Sequence, residues 1–165
     1  MNKQDLINEI NKVKANLANM EKMLAECEYE RWKPKEGGTF FFVHWDCSIG
    51  ENIFNSANPS HMARYNAYNC FQTHEQAEAE AEKILIRRQL EEIASRLNKG
   101  KKINWKSTQQ AKYYLRYNIA QDGLDINLDF NIVHIGITYC LSNEFLNVAI
   151  REIGKERLKK YLRGE

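Results

Sequence analysis

Side chains able to bind metals or move protons gather at several points along this sequence. His44-Trp45-Asp46-Cys47 places three potential metal ligands side by side. A metal site needs three or four donors that converge. On an extended strand His44 and Asp46 share a face while Cys47 points away, and the sequence offers no second cluster, so this stretch reads as a polar strand edge without a metal. Asp125-Ile126-Asn127-Leu128-Asp129 imitates the opening of a calcium loop. Phe130 stands where that loop turns on glycine, however, and Gly136 where it needs a bidentate glutamate. His74-Glu75 begins like a zinc-protease helix, but Glu78 occupies the position of the second histidine. Glu78, Glu80 and Glu82 alternate with alanines and fan over a helix surface instead of pairing for acid–base work. There is no glycine-rich phosphate loop and no serine in a nucleophile elbow. The expectation is a protein that is not an enzyme and uses no cofactor. If it were an enzyme, His44 and Asp46 are where substitution would abolish activity.

Binding chemistry is better represented. Arg87, Arg88, Arg96, Lys99, Lys101, Lys102 and Lys106 cluster in one stretch, and Trp105, Tyr113, Tyr114 and Tyr117 follow closely. Cations for phosphates and rings for bases are the ingredients of a nucleic-acid surface, although Glu91 and Glu92 interleave and no established nucleic-acid fold signature accompanies them. The bland alternative is a solvated helix whose lysine stems cover apolar edges. Candidate binding residues are therefore Trp32, Trp105, Tyr113, Tyr114, Arg87, Arg88, Lys101 and Lys102. Each tryptophan also has a structural reading, in which its ring plugs one end of its own sheet.

The elements that must position these residues come twice. Trp32-Lys33 followed by Phe40-Phe41-Phe42-Val43-His44 is answered by Trp105-Lys106 followed by Tyr113-Tyr114-Leu115-Arg116-Tyr117, at an offset of about 73 residues. Phe71-Gln72-Thr73-His74-Glu75 is answered by Cys140-Leu141-Ser142-Asn143-Glu144, at an offset of about 69. In the first unit, 39–45 predicts a strand buried on both faces, 52–55 a short second strand and 69–72 a third, with a polar connection over 56–68. Thr73 and Gln76 have capping-box spacing, so a helix runs from there to about Gly100. In the second unit, 111–118 predicts a strand and Asp122-Gly123 a turn. Residues 124–130 alternate as a half-buried strand, 132–140 form a third strand, and Ser142 caps a last helix reaching about Leu162. Antiparallel meanders with helices on one face make the class α+β.

Ahead of both units, residues 3–29 read as one helix. Leu6, Ile10, Val13, Leu17, Met20, Leu24 and Cys27 recur at alternating steps of four and three, a coiled-coil seam. The seam fits self-association into a homo-oligomer, or packing on another helix of the same chain. The expected organisation is an N-terminal helix (1–30), a first βββα unit (31–100) and a second (101–165).

Composition fits an ordinary folded protein, 43% hydrophobic and 28% charged, with a net charge of +2. That charge is unevenly spread. Residues 1–82 hold 8 basic and 13 acidic side chains for a net of −5, and residues 83–165 hold 16 and 9 for a net of +7. No apolar run reaches membrane-spanning length and no secretion signal opens the chain. Cys27, Cys47, Cys70 and Cys140 lack paired spacing. The expected setting is reducing and cytoplasmic.

Arg31-Trp32-Lys33-Pro34-Lys35 with Gly37-Gly38-Thr39-Phe40-Phe41 resembles small accessory proteins of phages and prophages of low-GC Gram-positive bacteria. Asn69-Cys70-Phe71-Gln72-Thr73 leading into Glu75-Gln76-Ala77-Glu78 is similar to the same group, as is the stretch from Ala149 to Leu162. The resemblance implies a phage protein at work in the cytoplasm of a bacterial host. It leaves the activity open. With the helix seam and the lack of a catalytic constellation, it leads to the expectation of a role in binding and inhibiting a defence component, such as a CRISPR effector, or its nucleotide signal. The alternative is nucleic-acid binding in phage replication or gene regulation. The resemblance assigns no functional residues.

Overall fold

The structure is a computed structural model describing the backbone of residues 3–27 and 31–165 and the side chains of 4–20 and 31–165. It divides into two compact units, Met1–Lys33 and Pro34–Glu165. The first contains helix α1 (Lys3–Cys27). Every described side chain of α1 is exposed. Along the predicted seam, Leu6, Ile10, Val13, Leu17 and Met20 are 47–66% exposed. Leu24 and Cys27, and the expected extension of the helix over 28–29, lie outside the described residues.

The second unit is α+β. Strands β1 (Thr39–Val43) and β2 (Ile49–Ile53) form an antiparallel hairpin, followed by α2 (Pro59–Asn66) and α3 (His74–Asn98). Strands β3 (Lys112–Asn118) and β4 (Gly123–Asp129) form a second antiparallel pair, followed by α4 (Phe145–Ile153) and α5 (Lys155–Arg163).

The expected third strands are each reduced to one bridging residue. Phe71 exchanges backbone hydrogen bonds of 2.8 and 3.0 Å with Phe41, and Cys140 exchanges bonds of 2.7 and 2.8 Å with Tyr113. Both bridges join the first strand of their hairpin on the edge opposite its partner, so neither sheet is a meander. In the first sheet the Asn69 side chain substitutes for the next rung, accepting from Val43 N–H at 2.8 Å and donating to Val43 C=O at 2.7 Å. In the second, Gly136 at φ +80 interrupts the expected strand, and residues 131–137 are exposed.

Two further departures concern helices. The 56–68 connection contains α2, because Asn58 accepts from Ser60 N–H as its N-cap and Pro59 supplies a preset φ at the first turn. The last helix is broken into α4 and α5 at Gly154, whose φ of +100 and ψ of +141 leave helical space. Ser142 does not cap α4. That helix starts at Phe145, and the Ser142 hydroxyl accepts from Glu144 N–H.

The capping box at Thr73 forms as the spacing predicts: Thr73 Oγ1 accepts from Gln76 N–H at 3.3 Å and Gln76 Oε1 accepts from Thr73 N–H at 3.4 Å. Along α3, Ala77 and Ala81 pack under Val43, Phe41, Ile49 and Phe71 of the first sheet. Farther on, Ile86, Leu90, Ile93 and Ala94 enter a larger core with Leu115, Phe145, Ala149 and Leu158. The opposite face of the first sheet buries Phe40, Phe42 and Phe54 against α2. There the His61 ring lies 5.4 Å from Phe40 and the Arg64 guanidinium 3.9 Å above Phe42. Strand β1 is thus covered on both faces, as its unbroken apolar run predicts.

Gly50, opposite Phe42 in the hairpin, marks the tightest approach. A Cβ there would collide with the Phe42 ring and stand 2.7 Å from His44 Nε2. Gly50→Ala should therefore destabilise the protein by about 1–3 kcal/mol in chemical denaturation, whereas Gly123→Ala, where a Cβ meets nothing closer than 3.6 Å, should cost distinctly less.

Candidate functional site

The alternation of β3 decides which predicted binding residues meet. Tyr113, Leu115 and Tyr117 share one face; Lys112, Tyr114 and Arg116 share the other. On the latter face an aromatic tier assembles. Trp105 meets Tyr139 edge-on at 5.1 Å, and Tyr139 lies 5.3 Å from Tyr114. The His134 ring stands 5.3 Å from Tyr114 on the other side. Trp105 and Tyr114 thus belong to one tier, in which Tyr114 is buried and Trp105 is exposed. Tyr113 points to the opposite face and makes the bridge to Cys140.

Polar groups of this face satisfy one another. The Lys112 ammonium is fully buried and donates to the carbonyls of Ser107 (3.2 Å), Gln110 (2.9 Å) and Phe130. It also sits 5.5 Å from the Trp105 ring centre. Across the pair, Arg116 binds Asp125 at 2.9 Å, Asn127 donates to the Tyr114 hydroxyl at 2.8 Å, and Asp129 meets His134 at 2.9 Å. The calcium-loop imitation is therefore the polar face of β4, each side chain with its own partner. Burial, together with the Asp129 charge, pushes the Tyr139 phenol up from its usual range; its hydroxyl accepts from His134 N–H.

The basic residues do not gather with this tier. Arg88 donates to the Trp45 carbonyl at 2.8 Å and to Cys47 Sγ at 3.3 Å, pinning the β1–β2 turn to α3. Arg96 is held by Glu152 and Arg157 by Glu82. Arg87, Lys101 and Lys102 are exposed and form no ion pair among the described residues. Trp32 falls in the first unit and is partly exposed.

Two features escaped the sequence reading. One is an open cleft of about 830 Å³ in the second unit. Leu90, Leu115 and Phe145 supply apolar lining, with Tyr117, Tyr161 and Arg163 among its polar groups. Its charges are internally paired: the Tyr117 hydroxyl donates to Asp122 at 2.6 Å, Lys159 meets Asp122 at 3.2 Å, and Arg163 lies over Tyr117 while binding Glu165. The other is the display of Trp45 and Tyr68, 84% and 75% exposed, on one small groove. Trp45 falls in the stretch 39–45 expected to be a strand buried on both faces, but β1 ends at Val43 and Trp45 stands exposed on the turn that follows; Tyr68 also sits on a turn.

Among the described residues no group of three or more His, Cys, Asp or Glu side chains is arranged to hold a metal, and Cys47 and Cys140 are free thiols. No helix among them is long and apolar enough to cross a membrane. Comparison of the chain with protein-family models, with curated proteins and with solved structures gives no significant match.

Two outcomes follow from these contacts. Lys112→Met keeps the aliphatic stem but leaves three carbonyls without their donor, so it should cost about 1–3 kcal/mol in denaturation and change the Trp105 emission. Asp122 is held below the usual carboxylate range first by the Tyr117 hydrogen bond and then by Lys159, Asp125 by Arg116, and Glu152 by Arg96. Depressed carboxyls contribute stability that is present above their unfolded values and lost as pH falls through the folded ones. The thermal midpoint should hold from neutrality down to about pH 4 and drop below it. Glu152→Gln should lower the midpoint at pH 7, and its difference from the parent should vanish in acid.

Proposed function

We propose that this protein acts by binding, assembles through α1, and serves as a phage accessory protein that inhibits a bacterial defence component or sequesters its nucleotide signal. The observation that carries the assembly is the bare seam: Leu6, Ile10, Val13, Leu17 and Met20 are each at least 47% exposed. In proteins most of a helix's stability comes from packing of its apolar face rather than from propensity. Each large apolar side chain fully buried in a helix partner adds about 1.5–3 kcal/mol, so pairing of the seam with a second copy is what would stabilise it. Assembly in turn multiplies weak contacts made by the body of each copy. The host defence target rests on the resemblance to phage accessory proteins.

The body is, in this reading, a tandem duplication. Phe40, Phe42 and Val43 are buried with Phe41 half-buried between them; Lys112, Tyr114 and Leu115 repeat that pattern around Tyr113, one residue out of step with the sequence repeat, which matches Phe40 to Tyr113. Phe71 and Cys140, the paired positions of the sequence repeat, make the two equivalent bridges. These parallels support descent from one hairpin-plus-helix module. Nucleic-acid binding is the second reading, favoured by the unpaired Lys101 and Lys102 close in sequence to the exposed Trp105.

Light scattering tests the assembly. The full chain should give an oligomeric mass, and Ile10→Asn with Leu17→Asn should give a monomeric one with the second unit still folded; a monomeric parent rejects the seam. For the target, expression in a defended host should restore phage plating, and unchanged plating across defended strains counts against inhibition. A salt-dependent shift of labelled DNA or RNA, lost on neutralising Arg87, Arg88, Lys101 and Lys102, would move the assignment to the second reading.

A further inference from the structure

Strand β3 has two edges, and they are closed to different extents. On one side β4 pairs with it residue for residue from Lys112 to Asn118. In an antiparallel ladder alternate residues turn their N–H and C=O groups toward a given neighbour and the rest turn theirs away. Tyr113 commits both of its groups to Cys140 on the other side, at 2.7 and 2.8 Å. Leu115 and Tyr117 have the same parity, so their N–H and C=O groups face that outer edge as well. Neither backbone donates or accepts a hydrogen bond there among the described residues. The first sheet differs at the matching place. Val43, two residues past the bridging Phe41, has both groups taken up by the Asn69 side chain, at 2.8 and 2.7 Å. Two residues before Cys140 the chain carries Thr138, which has no amide to do the same for Leu115.

The chain's own third segment is too short-tethered to close this edge. β4 and the stretch at Cys140 both run antiparallel to β3, on opposite sides of it, and are therefore parallel to each other. A connection between parallel strands has to cross the sheet, which takes about a dozen residues or more. Only residues 130–139 lie between β4 and Cys140. Continuing the ladder would pair Thr138 with Leu115 and Gly136 with Tyr117, and would leave 130–135 for the crossing. That crossing is also tied to the Tyr114 face of β3. His134 meets Asp129 at 2.9 Å, its ring stands 5.3 Å from Tyr114, and its N–H donates to the Tyr139 hydroxyl at 2.9 Å. Gly136 and Thr138 consequently line the open cleft of about 830 Å³ together with Leu115 and Tyr117, without bonding to them.

From this arrangement we infer that the Leu115–Tyr117 edge is a docking site for an extended segment of a partner protein, which adds to the sheet the strand that this chain cannot supply. The complementarity is one of donors and acceptors. Two N–H and two C=O groups in alternation match an extended backbone and set its register. Segment residues directly opposite Leu115 and Tyr117 project to the same face as those two. On that face Leu115 packs in the core with Leu90 and Phe145, both of which also line the cleft. The occupant is therefore a strand with apolar side chains at alternate positions. Every residue of the site lies within 34–165, so it stands apart from assembly through α1.

The test uses the isotope-labelled full chain and a short peptide alternating threonine and valine, with a lysine at each end for solubility. The amide resonances of Leu115 and Tyr117 should move saturably on titration, and their hydrogen exchange should slow. N-methylation of the valines removes the donors that face β3 and should weaken binding by about ten-fold or more. N-methylation of the threonines, whose N–H groups point away, should leave binding close to that of the parent peptide. The Ile10→Asn, Leu17→Asn chain should bind as well as the parent chain, which separates this site from the seam. No saturable shift, equal weakening by the two methylation patterns, or loss of binding in that double variant would overturn the proposal. So would slow exchange of Leu115 and Tyr117 in the dilute free chain, since its own segment would then fill the edge. Protection that appears on concentration without peptide would overturn it too, with a second copy as the occupant.

Discussion

Both sheets of this protein rest on one helix, and the rest of the second unit depends on that sharing. The N-terminal half of α3 offers small residues, Ala77 and Ala81, so the first sheet can approach closely through Phe41, Val43 and Phe71. Its C-terminal half offers Ile86, Leu90 and Ile93 to a core completed by Leu115 and the paired helices α4 and α5. Neither hairpin is wide enough to stand alone, since a two-stranded sheet is marginal in water without something packed on its face. The continuous helix gives each hairpin that support and welds the two into one compact unit. The capping box at its start and the left-handed Lys99 at its end fix its length.

Charge follows the same logic of internal closure. The abundant basic residues of the second half suggest an exposed cationic surface, yet most of them act as ties. Arg96 joins α3 to Glu152 of α4, Arg157 joins α5 to Glu82 of α3, and Arg88 joins α3 to the first hairpin turn. Lys112 is drawn fully inside, where three carbonyls replace its hydration. Surface ion pairs contribute little singly, but these bridge separate elements and so define how α3, α4 and α5 meet. Arg87, Lys99, Lys101, Lys102, Lys106, Lys155 and Lys160 form no ion pair or tie among the described residues.

What the structure displays is mainly apolar and aromatic. The α1 seam, the segment from Ile132 to Ile137 and the Trp45–Tyr68 pair all present large side chains to solvent. They differ in the backbone beneath them. The seam lies on a regular helix and the aromatic pair on hydrogen-bonded turns, whereas residues 131–137 take no part in a sheet ladder. A rigid display fits recognition because the entropic cost of order is met on folding instead of on binding.

Periodicity and caps made much of this legible beforehand. The a/d spacing of α1, the double-sided apolar run of β1, the alternation of β4 and the Thr73–Gln76 box each have a local cause, so the residues themselves determine them. Phe71 and Cys140, matched in the sequence, are both bridge residues, but their partners Phe41 and Tyr113 are not the positions that the sequence match pairs. What could not be read was how far each third segment would pair, because that depends on which edge of the first strand stays open. An asparagine side chain at 69 and a left-handed glycine at 136 ended those ladders. Grouping Trp105 with Tyr113 failed in part for a related reason, since only the register of β3 separates Tyr113 from Tyr114. The groove that Trp45 and Tyr68 both line was invisible because they stand 23 positions apart in the chain. Local sequence thus determined the elements and their inward faces. Only the tertiary fold decided which side chains meet across them, because those meetings depend on edges, turns and a shared helix that no short-range pattern encodes.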